Sequence, residues 1–259
     1  MMRVRVTKMH GARNDFVILD GRIALPRDTE SFARWACDRH AGIGADGLIV
    51  LETSTRAHVR MRTINADGSE AEMCGNGVRC AARWLDEAGE GANVTFETAA
   101  GVVATEILSR GPEYLVRVAM GRAQVAPVAI PGLDDAAFVD VGNPHVVTFV
   151  ANVDDVDLLG LAARVQHAPG LPAGANVHAA QRASDRSVRA RHWERGAGLT
   201  MACGTGAVAC AAVAIERKIA ASPVEVLVPG GRLVVELDAD GNAYLTGSAV
   251  RVFDTEVEA

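Results

Sequence analysis

With 259 residues, 49% of them hydrophobic and 22% charged, the chain holds enough apolar material for a sizeable core and lies outside the disordered class. Its 26 Lys and Arg against 32 Asp and Glu leave a net charge of −6, and no basic block stands out, which argues against a nucleic-acid or anionic-membrane surface. Alternating apolar residues at the start read as a strand over 3–7 rather than a signal peptide. The uncharged stretch 196–215 carries Gly196, Gly198, Gly204 and Gly206, and reads as a glycine-rich loop running into a short buried helix, not a membrane span. A second strand is expected over 16–20, then a helix over 29–39 with Phe32, Trp35 and Ala36 on one face, then strands over 48–51 and 58–64. Beyond Cys74-Gly75-Asn76-Gly77 come an apolar helix over 78–88 and strands over 94–98, 102–108 and 114–119. The later part of the chain predicts a helix over 207–217 and strands over 224–228, 233–237 and 243–246.

The two apolar helices belong to a repeat. Cys74-Gly75-Asn76-Gly77 recurs as Cys203-Gly204-Thr205-Gly206, 129 positions on, and Val59-Arg60-Met61-Arg62 recurs as Val188-Arg189-Ala190-Arg191 at the same distance. Asn14 matches Asn143 and Val17 matches Val146. After the helix start the distance becomes 130, as for Cys80 and Cys210 or Gly101 and Gly231, which one inserted residue explains. The expected fold is therefore α+β, in two pseudo-symmetric halves, each a curved many-stranded sheet or barrel around one central helix. The halves are expected over 1–112, joined by the last strand over 248–259, and over 113–247, with an active site in the cleft between them.

The odd count of five cysteines and the lack of a secretory signal point to a reducing cytoplasm with free thiols. Their spacings do not fit a zinc site, so no metal is expected. Cys37, Cys80 and Cys210 fall inside helices and read as core thiols. Cys74 and Cys203 differ, because each opens a helix from a Gly-flanked loop. The free N–H groups and partial positive charge of a helix N-terminus favour a thiolate and also attract a carboxylate. Two such loops facing one substrate would place a sulfur on each side of an α-carbon, an arrangement suited to inverting a stereocentre. The N–H groups of Gly75, Asn76, Gly204 and Thr205 would then hold the carboxylate into which charge develops.

These residues resemble the diaminopimelate epimerase family over nearly the whole chain. The resemblance is carried by Met9-His10-Gly11-Ala12-Arg13-Asn14-Asp15-Phe16, by Arg39-His40-Ala41-Gly42-Ile43-Gly44-Ala45-Asp46-Gly47, and by Asn65-Ala66-Asp67-Gly68-Ser69-Glu70 leading to Cys74. In the second half it is carried by Gly142-Asn143-Pro144-His145, Gly174-Ala175-Asn176-Val177, and Trp193-Glu194-Arg195-Gly196-Ala197-Gly198 leading to Cys203. The resemblance implies a cofactor-independent enzyme that interconverts LL- and meso-2,6-diaminopimelate, on the route to lysine and peptidoglycan, commonly as a homodimer. It makes Cys74 and Cys203 the paired base and acid, with His145 and Glu194 as polar helpers. It places Asn14, Asn65, Asn143, Asn176, Glu194 and Arg195 around the substrate, with Gly75-Asn76 and Gly204-Thr205 on the reacting carboxylate. Three positions depart from the family pattern: Arg13 where Gly is frequent, Gly47 where some members carry Gln, and Leu199 where Glu is frequent.

Two other readings compete. A proline racemase-like enzyme also uses two cysteines, though with a Cys-Gly-His type of first loop. A non-catalytic amino-acid-binding protein of the same fold would not need the thiols. Gly42-Ile43-Gly44-Ala45-Asp46-Gly47 fits the letters of G-x-G-x-x-G, but the predicted order is helix before and strand after, the reverse of a dinucleotide site.

Overall fold

The computed structural model describes residues 2–133, 135–169, 171 and 174–258; Met1 and Ala259, the outer ends of the expected halves, lie outside them. In chain order the elements are β1 (Arg3–Gly11), β2 (Asn14–Asp20), α1 (Thr29–Cys37), β3 (Gly47–Glu52), β4 (Val59–Asn65), β5 (Glu70–Ala71), α2 (Gly75–Glu87), β6 (Asn93–Thr98), β7 (Gly101–Arg110) and β8 (Tyr114–Arg122). They continue with β9 (Gln124–Pro127), β10 (Ala136–Asp140), β11 (Pro144–Phe149), α3 (Leu158–Gln166), β12 (Asn176–Ser184), β13 (Ser187–Glu194), β14 (Gly198–Thr200), α4 (Gly204–Glu216), β15 (Val224–Val228), β16 (Gly231–Leu237), β17 (Asn242–Ser248) and β18 (Val250–Glu258). They form two compact units, Met1–Val118 with Gly247–Ala259, and Ala119–Thr246.

In the first unit β18 pairs antiparallel with β1, β1 with β2, β3 with β4, β6 with β7 and β7 with β8. The pairs β2–β3 and β4–β6 are parallel. A parallel pair needs a long crossover, and α1 and α2 supply the two. The α1 face of Phe32, Ala33 and Ala36 packs on Val17, Leu48 and Val50. Helix α2 contacts β1, β2, β3, β6 and β7, so the sheet bends around it.

The second unit repeats this scheme. Its pairs β9–β10, β10–β11, β12–β13 and β15–β16 are antiparallel. Its pairs β11–β12 and β13–β15 are parallel, bridged by α3 and α4. Leu158, Leu161 and Val165 of α3 pack against Val146 and Val177, while α4 is buried among the strands. Helix α3, which the hydrophobic pattern alone does not single out, begins 129 residues after α1. Its cap repeats too: Asp28 accepts Ser31 N–H at 2.9 Å and Asp157 accepts Gly160 N–H at 3.0 Å.

The helix starts differ from the sequence expectation. Both apolar helices begin three residues early, at Gly75 and Gly204, because Cys74 and Cys203 themselves occupy the N-cap with extended backbone. The order around Gly42–Gly47 is α1 before and β3 after, as anticipated. Gly42 has a local purpose, since a Cβ there would lie 1.8 Å from Trp35 O at the end of α1.

Candidate active site

In the first unit Cys74 is half-buried at the head of α2, and its Sγ donates to Asn14 Oδ1 at 3.6 Å. That oxygen also accepts from Asn76 Nδ2 at 3.0 Å, while Asn14 Nδ2 donates to Asp46 Oδ2 at 2.7 Å. Asn14 is placed for this by the β1–β2 hairpin, where Gly11 pairs with Asn14. The two turn residues Ala12 and Arg13 have φ of 52° and 64°, the left-handed values of a tight hairpin turn. A Gly at the Arg13 position would reach that backbone without the steric cost that a side chain meets there.

Behind the loop lies Arg79, wholly buried on the first turns of α2. It donates to Asn76 Oδ1 at 2.8 Å, to Gly75 O at 3.4 Å and to Ser248 O at 3.2 Å. Its burial is not legible in the sequence, since an Arg in a helix is normally a solvated residue. Asn65 ends β4 and donates to Ser69 Oγ at 2.9 Å across the turn that follows, the turn-closing role open to any Asn in that place. Gly47 begins β3, and a Cβ there would lie 3.0 Å from Ile64 O.

In the second unit Cys203 is buried and caps α4 with its own sulfur, accepting the Gly206 N–H at 3.3 Å with Thr205 Oγ1 at 3.5 Å. Burial pushes its thiol well above the ordinary range, and the neighbouring Glu194 carboxylate, hydrogen-bonded to it, pushes in the same direction. Thr200 donates to Glu194 Oε1 at 2.5 Å and so fixes that carboxylate from β14. Asn176 Oδ1 accepts Arg195 N–H at 3.0 Å, and its amide donates to Pro144 O at 3.4 Å, tying together three of the motifs that the sequence holds apart. Gly174 allows the exposed Arg195 stem to pass: a Cβ there would lie 2.4 Å from Arg195 Cδ. The fully buried His145 hydrogen-bonds Asn143 Oδ1 at 2.8 Å through Nε2. Burial holds its imidazole down to about 3, so the ring is neutral at neutral pH. Leu199, on β14, is 52% exposed.

The cysteines that anchor neither loop, Cys37, Cys80 and Cys210, are buried, and burial raises the first two to about 11 and about 12 and the third further. They are inert packing groups at neutral pH. No group of three or more His, Cys, Asp or Glu side chains among the described residues is placed to hold a metal ion, and no helix is long and apolar enough to cross a membrane.

Comparison with known proteins bears on the fold and the family. Solved structures sharing the fold include the phenazine biosynthesis protein of the PhzF family from Bacillus anthracis, at 19% identity and a TM-score of 0.80, covering 100% of both chains. A hydroxyproline epimerase from Agrobacterium vitis has 17% identity and a TM-score of 0.74, over 98% of this chain and 92% of the other. At these identities the likeness concerns the fold alone. Sequence relatives are closer: the diaminopimelate epimerases of Sphingopyxis alaskensis (41% identical, over 99% of this chain and 98% of that one) and Archaeoglobus fulgidus (40%, over 98% and 96%) match almost end to end. The family model for diaminopimelate epimerase matches residues 6–126 and 137–252, a span that takes in both cysteine loops and every motif described above. The chain therefore belongs to the diaminopimelate epimerase family.

Proposed function

We propose that the protein is an isomerase that interconverts LL- and meso-2,6-diaminopimelate without a cofactor, using Cys74 and Cys203 on opposite faces of one α-carbon. The observation that carries this reading is the pair of thiols at the N-caps of two repeat-related helices, each at the positive end of its helix. One sulfur, as thiolate, takes the α-proton; the C–H pair of electrons passes toward the carboxylate, and the other thiol returns a proton to the opposite face. The backbone N–H groups of Gly75, Asn76, Gly204 and Thr205 stabilise the developing charge. After one turnover the two sulfurs have exchanged protonation states, and exchange with solvent resets them. Cys203 rests as the thiol, since burial and Glu194 both disfavour its anion, so it is the proton donor when Cys74 is the base. In the reverse direction Glu194 is the group placed to accept the Cys203 proton. His145 acts through Asn143 rather than as an acid or base of its own. Asn176 and Arg195, joined by a hydrogen bond, fit the distal amino-acid end of the substrate, and with Asn65 and Asn143 would reject shorter amino acids.

The setting we infer is a reducing cytoplasm, which keeps both thiols active. We further infer a homodimer, because Val252 and Phe253 on β18 are 53% and 44% exposed and offer apolar surface to a second copy. Sedimentation at two concentrations checks this, a monomer at both being the contrary result.

Proton NMR of LL-diaminopimelate with the enzyme in deuterium oxide tests the reaction, with proline in parallel. Deuterium at one α-carbon, first in new meso product, is the expected result. Exchange into proline instead moves the protein to the racemase alternative, and exchange into neither refutes both.

A further inference from the structure

Three buried histidines form a line in the second unit. Asn143 Oδ1 lies 2.8 Å from His145 Nε2, His145 Nδ1 lies 2.8 Å from His178 Nε2, and His178 Nδ1 lies 2.8 Å from His192 Nδ1. An amide oxygen only accepts, so His145 carries its proton on Nε2. Its Nδ1 is then a lone pair, which requires His178 to donate from Nε2, and His178 Nδ1 in turn accepts from His192 Nδ1–H. The line ends at His192 Nε2, a buried atom with no hydrogen-bond partner among the described residues. In this direction it is a bare lone pair, which buried sites tolerate better than an orphaned N–H. Burial keeps all three rings neutral, with His145 held at about 3, His192 at about 4 and His178 also well below the ordinary value. Every proton in the line therefore points toward Asn143.

The fold itself does not require these rings. At the repeat distance of 129, His145, His178 and His192 correspond to Phe16, Ile49 and Thr63 of the first unit, on the matching strands β2, β3 and β4. Those three side chains are equally buried. The matching helix turns are also served alike: a Cβ on Gly77 would meet Ile49 Cδ1 at 3.0 Å, and one on Gly206 would meet His178 Cε1 at 2.5 Å. An apolar side chain thus fills the same place in one copy of the fold. The polar line in the other copy needs a different explanation, and its one exit is Asn143.

We propose that His178, braced by His192, is a positioning residue: it locks the tautomer of His145, which holds the oxygen of Asn143 and leaves only that residue's N–H groups to face a substrate carboxylate. This rests on the epimerase reading given above. It also makes His178 and His192 part of substrate recognition, although neither is placed to touch the substrate.

The test uses the full-length protein and two variants of His178. His178→Ile installs the side chain that the first unit already accommodates, so packing is preserved while the line is cut. His178→Gln keeps one donor for His145 and one acceptor for His192. The expected result is a roughly tenfold rise in KM for diaminopimelate in His178→Ile, with kcat changed less than KM, and recovery of most of it in His178→Gln. An unchanged KM in His178→Ile, or equal impairment in both variants, overturns the proposal. A second measurement is independent of turnover: long-range proton–nitrogen NMR of the ligand-free protein should find Nε2–H on His145 and His178 and Nδ1–H on His192. An Nδ1–H tautomer at His145 refutes the line. If wild-type protein epimerises nothing, the epimerase reading fails, and the tautomers still decide the line by themselves.

Discussion

Arg79 donates to Asn76 Oδ1 at 2.8 Å from a site wholly shielded from water, and Asn76 passes the contact on to Asn14, the acceptor for the Cys74 thiol. Burial pulls this guanidinium down from its ordinary value, and the groups that oppose that pull are the sulfurs of Cys80 and Cys74, not a carboxylate. Cys80 is itself pushed up to about 12 by burial and stays a thiol, which leaves Cys74 as the natural counter-anion. Replacing Arg79 by Met should slow alkylation of Cys74 by iodoacetamide at pH 7 about tenfold, the effect of ~1.4 kcal/mol. Arg79→Lys keeps the charge and should lose less. Alkylation of Arg79→Met at the wild-type rate would refute the electrostatic role.

Glu194 has the opposite effect on the other sulfur. Burial is the first cause of the high pKa of Cys203, and the Glu194 charge is the second. Glu194→Gln removes the repulsion, so thiolate absorbance at 240 nm should appear at lower pH than in the wild type. On the proposed mechanism turnover should nevertheless fall about 10²-fold, because the carboxylate it assigns as acceptor of the Cys203 proton is gone. Parallel movement of the two readouts would show that the carboxylate serves only to anchor Thr200.

The sequence makes the fold legible through repetition more than through periodicity. Helix α3 is hard to see from its own residues, yet Asp157 and Leu158 stand where Asp28 and Thr29 stand in the first unit. The cysteine loops are legible for the same reason. What escapes is any residue whose role comes from burial: Arg79, His178 and His192 are types that read as surface residues until a sheet closes over them. Comparison across the repeat holds a trace of the histidine line, because Phe16, Ile49 and Thr63 change together to His. Single motifs show no such signal. Asn65 illustrates the converse, since its motif is distinctive while its observed bond to Ser69 is an ordinary turn contact.

The buried histidines also set the acid limit. Burial holds His145 near 3 and His192 near 4, with His178 lowered too, and the other causes for these shifts are the rings themselves. An unfolded chain takes up the same protons near 6.5. Below that pH the unfolded state binds more protons than the folded one, so stability is complete above about 6.5 and falls as the pH drops toward the folded values. Each ring contributes about 1.4 kcal/mol per pH unit in that window. Asp15 behaves differently: burial pushes it up, but hydrogen bonds from Arg39 and Lys8 outweigh burial and hold it at about 2, so its contribution is lost only below its unfolded 3.8. Urea unfolding at pH 7 and pH 5 should therefore show a marked loss before carboxylates titrate. The combined variant His145→Phe, His178→Ile and His192→Thr should flatten the profile. An equally flat wild-type curve would mean that the rings are protonated in the folded state.

Gly77 and Gly206 occupy matching turns of α2 and α4, but their surroundings differ in stiffness. A methyl group on Gly77 would press the far end of Ile49 at 3.0 Å, which rotates away at little cost. On Gly206 it would lie 2.5 Å from Cε1 of His178, a ring held from both sides by His145 and His192. Overpacking against such a fixed group costs about 1–3 kcal/mol, so Gly206→Ala should lower the unfolding midpoint well below that of Gly77→Ala. The same methyl group also shifts the N–H that Cys203 Sγ accepts at 3.3 Å, so turnover should fall in Gly206→Ala even at temperatures where the protein remains folded. Pairing Gly206→Ala with His178→Ile should recover much of the stability, because Ile is the flexible neighbour that the first unit already uses. It should not recover the KM for diaminopimelate. Equal stability of the two single Ala variants would show that the histidine line yields as easily as Ile49 does, and would remove the reason for treating it as a rigid support.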